Sequence, residues 1–173
     1  ARVMNETVAE MFRLEQADGF PFQHIHATGS FGWEWMPRLV REKGVDPDTV
    51  DAIDMREYIY NMPTVMDAAD VIISRAGAST CNEIAAAGIP AILIPSPNVT
   101  NHHQEKNANL MAERDAAVTI PEPDCTPQRL YDEVRALLRE PERRERMTKN
   151  LREMVRLDST ERIGDIIESL IRK

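Results

Sequence analysis

Two cysteines, Cys81 and Cys125, are too few to staple a chain of 173 residues. No disulfide framework is expected, and a reducing cytosol is the default setting. Long apolar runs are also lacking: none approaches the roughly 18–20 residues of a membrane-spanning helix, and no signal-peptide pattern occurs. Positive charge is in short supply, with 21 Lys and Arg against 29 Asp and Glu, a formal net charge of −8. That balance argues against non-specific nucleic-acid binding and gives no help in docking to anionic lipid. Internal repeats and low-complexity segments are missing. What is present, 42% apolar and 29% charged residues, suits one globular domain with a real core.

The chain opens at Ala1 without a methionine and is at once helical in pattern, "RVMNETVAEMFRLEQ", with Val3, Val8, Met11, Phe12 and Leu14 roughly on one face. No capping signal or strand precedes it, so the expectation is part of a longer protein. "FQHIHATG" (22–29) then predicts a strand running into a glycine turn, and 31–44 is helical in part, with Pro37 marking a break or late start. A strand lies within 48–59, and a short helix over 61–69 has Pro63 in its first turn. "DVIIS" (70–74) and "AILIP" (91–95) read as strands buried in a parallel sheet. Between them a helix spans about 79–87 and stops at Gly88. A helix over about 102–114, a strand "AAVTI" (116–120), a Thr-Pro-capped helix from Thr126, and helices of about 141–156 and 159–172 complete the order. The charged stretch "REPERRERMTKNLRE" (139–153) reads as a solvated helix face. The fold class is α/β: a Rossmann-like, mostly parallel sheet flanked by helices.

Ligands of open α/β sheets sit beyond the carboxyl ends of the strands. "SRAGASTCNE" (74–83) occupies such an end. Gly77 and Ala78 keep the turn thin, so a ligand can approach the backbone closely. The N–H groups of Ala78, Ser79 and Thr80 then point at an anion with the helix dipole behind them. Arg75 adds a charge suited to phosphate, and a diphosphate is the natural occupant. Glu83 has two readings at this point. With Thr80 it fits a capping box that merely finishes the helix; alternatively its carboxylate accepts the two hydroxyls of a ribose.

The block "ADVIISRAGASTCNEIAAAGIPAILIPSPNVTNHHQEKNA" (69–108) resembles the donor-site region of MurG-type N-acetylglucosaminyltransferases, of glycosyltransferase family 28 and the two-domain GT-B fold. "HATG" (26–29) is similar to the family's His-x-x-Gly turn, "YIYNM" (58–62) to its strand end before a short helix, and "ARVMNE" to the segment after its glycine-rich phosphate turn. The resemblance implies that residues 1–173 are the C-terminal, nucleotide-sugar-binding domain, without the acceptor domain and the first strand and glycine-rich turn. It implies further that the backbone of Ile59 reads the uracil edge and Met62 packs beside the base. Arg75, Gly77 and the Ala78–Ser79–Thr80 turn would hold the diphosphate, and Glu83 the ribose. His103 and Gln104 stand where the family has a polar pair on the sugar hydroxyls, and Asn107 supports that loop. His103 departs from the commoner acid or glutamine.

The implied reaction transfers N-acetylglucosamine from UDP to the muramoyl sugar of a lipid-linked pentapeptide with inversion, at the cytoplasmic face of the plasma membrane. It implies no cofactor and no metal; no catalytic residue is assigned within this chain, the general base being expected in the other domain. Rival readings are another family 28 UDP-sugar transferase acting on an acceptor such as diacylglycerol, a UDP-N-acetylglucosamine epimerase, and a nucleotide-binding module without chemistry.

Other residues also stand out. His24 and His26 share one strand face, but no Cys or acid cluster completes a metal set, which favours a supporting role. Cys81, in the phosphate-binding helix, has either a lowered thiol pKa or the ordinary role of a small buried residue. Trp33 and Trp35 are expected to fill the core, or to face the other domain.

Overall fold

The computed structural model describes residues 2–155 and 158–171. Ala1, with which "ARVMNE" begins, and the expected helix ends at 156 and 172 lie outside them. The chain enters through α1 (Arg2–Ala17) and β1 (His24–Ala27), then α2 (Ser30–Trp33) and α3 (Met36–Glu42). Pro37 sits in the first turn of α3, where its missing N–H has no helical partner to lose; it marks a late start. Next come β2 (Ile53–Arg56), α4 (Met62–Ala68), β3 (Ile72–Ser74), α5 (Ala78–Ala87) and β4 (Ala91–Leu93). The last part holds α6 (His103–Ala112), β5 (Ala117–Thr119), α7 (Pro127–Arg139), α8 (Pro141–Met154) and α9 (Ser159–Ile171).

All paired strands are parallel, as helices between successive strands require. Among the described residues they form two ladders, β1–β2 and β3–β4–β5. Ile73 stands opposite Ile92, and Ile92 opposite Val118. Strand β4 is buried throughout, and its alternating side chains feed two clusters. Ile92 packs with Val8, Met11 and Phe12 of α1 and Leu130, Val134 and Leu137 of α7. Leu93 packs with Ile84 of α5, Met111 of α6 and Leu151 of α8. The first cluster also holds Ile53 of β2 with Ile73 of β3 against it, so one core serves both ladders. Strand β3 is only half-buried, against the expectation from its apolar run. It borders its ladder, and among the described residues only β4 has a neighbour on either side.

His24 and His26 face α1. His24 Nε2 lies 2.7 Å from Glu15 Oε2, and His26 Nε2 3.2 Å from Asn5 Oδ1. Both rings meet Phe12 edge-on. Asn5 Nδ2 also donates to the carbonyl of Thr28 at 2.9 Å, fixing the turn in which Gly29 takes φ +74°. Trp35 is half-buried, with the Arg2 guanidinium carbon 5.6 Å from its ring centre. Trp33 is 42% exposed and does not fill the core, because the single turn of α2 leaves it facing outward. Of the arginines of α8, Arg146 and Arg152 are exposed as a solvated face requires, while Arg143 and Arg144 are half-buried. Arg143 pairs with Glu133, Arg146 with Asp115, and Arg144 caps the carbonyls of Leu137 and Leu138 at the end of α7. Helix α9 exposes Ile163, Ile166, Ile167, Leu170 and Ile171. No helix among the described residues is long and apolar enough to cross a membrane.

Candidate functional site

The carboxyl ends of β3 and β4 carry the segments singled out in the sequence. Helix α5 begins at Ala78, three residues before the Cys81 start that the capping-box reading requires. Its cap is Gly77 in extended conformation, with no side-chain hydrogen bond, and the N–H of Cys81 bonds to the carbonyl of Gly77 at 2.9 Å. The N–H groups of Ala78, Ser79 and Thr80 are therefore the unpaired first donors of the helix. Ala78 and Ser79 are exposed and Thr80 is half-buried.

That start overturns the capping box. A box needs its Ser or Thr outside the helix and its acid three residues on; Thr80 and Glu83 both lie inside α5. Glu83 is exposed and forms no hydrogen bond or ion pair among the described residues. Cys81 belongs to the core, and burial pushes its thiol pKa up, as it does for Cys125. The reading of Cys81 as an activated thiol fails for that reason.

The loop below this helix start is held from two sides. Asn107 Nδ2, on α6, donates to the carbonyl of the fully buried Ala76 at 3.0 Å. Arg75 turns away from the α5 start: Nη1 donates to the carbonyl of Ile94 at 3.1 Å, and Nη2 pairs with the Glu122 carboxylate. Glu122 opens a short 3-10 turn after β5. Sequence reading missed it; a lone Glu between two prolines carries no signal until the fold brings it to Arg75.

The segment after β4 is an irregular loop with Asn101 and His102 in the left-handed region, at φ 56° and 51°. His103 is exposed, its Nδ1 2.8 Å from the carbonyl of Thr100. Gln104 Oε1 accepts the N–H of Ser96 at 2.9 Å, bracing the loop and leaving its amide NH2 for another acceptor. After β2, Ile59 is buried while Met62, first residue of α4, is 40% exposed. The structure thus gathers Arg75, Gly77–Thr80, Glu83, Gln104 and Asn107 around two adjacent strand ends; Ile59 and Met62 follow a strand of the other ladder.

Comparison with solved structures places this architecture. The crystal structure of Acinetobacter baumannii MurG superposes with a TM-score of 0.78 at 25% identity, over 98% of this chain and 46% of that one. A glycosyltransferase of kitacinnamycin, at 23% identity and TM-score 0.66, shares the fold. The fold is that of the GT-B glycosyltransferases.

Residues 1–167 match the glycosyltransferase family 28 C-terminal domain, and the chain belongs to that family. An Acetivibrio thermocellus protein named UDP-N-acetylglucosamine–N-acetylmuramyl-(pentapeptide) pyrophosphoryl-undecaprenol N-acetylglucosamine transferase is 37% identical over 172 residues. A Halalkalibacterium halodurans protein of the same name is 37% identical over 147 residues, 85% of this chain. The chain spans about half the length of these curated relatives, 45% of the first and 39% of the second.

Proposed function

We propose that this chain is the donor-binding domain of an inverting transferase that takes N-acetylglucosamine from UDP-N-acetylglucosamine. The acceptor is the muramoyl sugar of a lipid-linked pentapeptide, met on the remainder of the protein at the cytoplasmic face of the membrane. The relatives' names support the reaction. The observation that carries the reading is the uncapped start of α5, where three backbone donors and the helix dipole meet an unpartnered Glu83 five residues on.

In this reading the α5 donors hold the diphosphate, Glu83 accepts the ribose hydroxyls, and Gln104 offers its NH2 to the sugar, with His103 beside it. Ile59 and Met62 hold the uracil. As the acceptor hydroxyl attacks the anomeric carbon, the bond to the diphosphate oxygen breaks and UDP leaves with the electron pair. Fixed N–H donors stabilise that growing charge without reorganising, and one such donor is typically worth about 2.7–4 kcal/mol. These donors ask for no metal, and the general base lies outside this chain.

Calorimetric titration tests the uracil assignment. UDP is expected to bind at least about tenfold more tightly than ADP, roughly 1.4 kcal/mol; equal affinities would remove Ile59 and Met62 from the site.

A further inference from the structure

Arg75 is the residue that the sequence assigns to the phosphates, and its geometry does not serve that role. It follows directly on β3, yet its guanidinium reaches across the sheet end. It bonds to the carbonyl of Ile94, the residue after β4, and to Glu122, three residues beyond β5. The pair is largely enclosed, with Arg75 21% and Glu122 12% exposed at their side chains.

One side chain therefore joins the ends of three parallel strands just where their ladder stops. Main-chain bonds reach only as far as Ile94 N–H to Ser74 O, at 2.8 Å, and Ile120 N–H to Leu93 O, at 3.0 Å. Two further links close a circuit. Thr119 Oγ1 of β5 donates to the carbonyl of Ala108 at 3.1 Å, and the neighbouring Asn107 donates back to Ala76. Residues 75 and 76 are thus fixed from opposite sides, one by its side chain and one by its carbonyl, immediately before the α5 donors. Glu122 also offsets the charge Arg75 would show a diphosphate. An arginine meant to bind phosphate gains nothing from an enclosed carboxylate already on its fork.

We propose that Arg75 and Glu122 are positioning residues: their clasp holds the loop so that the N–H groups of Ala78, Ser79 and Thr80 aim at the diphosphate, and Arg75 makes no phosphate contact. The proposal rests on the donor-site reading above. Lysine cannot span both partners, because it lacks the planar fork.

The test compares UDP with uridine, which lacks the phosphates, by calorimetry on the unsubstituted protein, Glu122→Gln, Arg75→Lys and the double variant, with melting temperature followed for each. The clasp predicts that either single variant weakens UDP about tenfold while uridine changes less than about twofold. The double variant should be no worse than the singles, since the two act as one unit. Tighter UDP binding by Glu122→Gln would mean that a freed Arg75 reaches the phosphates, and would overturn the proposal. Equal weakening of UDP and uridine alongside a lower melting temperature would reduce the pair to general stability, and overturn it as well. If the unsubstituted protein binds UDP no better than uridine, the donor-site reading itself falls, and the clasp with it.

Discussion

Glu83 illustrates what a single side chain does here. It is exposed, unpartnered and inside α5, so removing it deletes no stabilising contact of the described structure. Glu83→Ala is expected to weaken UDP about tenfold while stability moves by no more than about 0.5 kcal/mol. Unchanged UDP affinity would take Glu83 out of the ribose site. Sequence spacing left this residue between capping and binding, because Thr-x-x-Glu looks the same in both; only the helix start, set by Gly77, separates them. His26 is the opposite case, a residue whose part is stability. Burial, with a smaller push from His24, lowers its pKa from 6.5 to about 4. Folding therefore favours the neutral ring: this contribution is complete above pH 6.5 and is lost as pH falls from there through 4. Denaturant titrations at about pH 7.5 and about pH 4.5 should show the unsubstituted protein losing roughly 2–3 kcal/mol more than His26→Gln. The Gln variant can keep the bond to Asn5. Equal losses would show that His26 does not carry the pH response.

At the scale of elements, helix ends were the most legible features where a side chain marks them. Thr126 caps α7 as Thr-Pro predicts, accepting the N–H of Arg129 at 3.2 Å. Thr126→Ala should cost about 1 kcal/mol by thermal or denaturant unfolding, with UDP binding unaltered; no loss would mean the cap is ornamental. Gly88, at φ +70°, ends α5 as read, since only glycine enters that region without strain. The start of α5, read at about 79, falls at Ala78; its cap is Gly77, which offers no side-chain signal, so Thr80 could be read as a cap that it is not. Strand order was not legible either. Residues 70–74 and 91–95 are alike in composition, yet β4 is buried and β3 half-buried, a difference set by neighbours distant in sequence. Nor was the ion pair of Arg75 with Glu122 legible, since the two lie 47 positions apart.

For the whole molecule, the α/β order alone places the candidate ligand groups at strand ends, because parallel strands linked by helices all point one way. Family 28 membership and the GT-B fold agree with that order. The central claim is that the open start of α5 receives the diphosphate of UDP. An amide-resolved NMR titration with UDP tests it most directly. The largest shifts are predicted at the N–H groups of Ala78, Ser79 and Thr80, and uridine should leave these three nearly unmoved. Saturable UDP binding whose shifts fall elsewhere, with residues 77–80 silent, would contradict it.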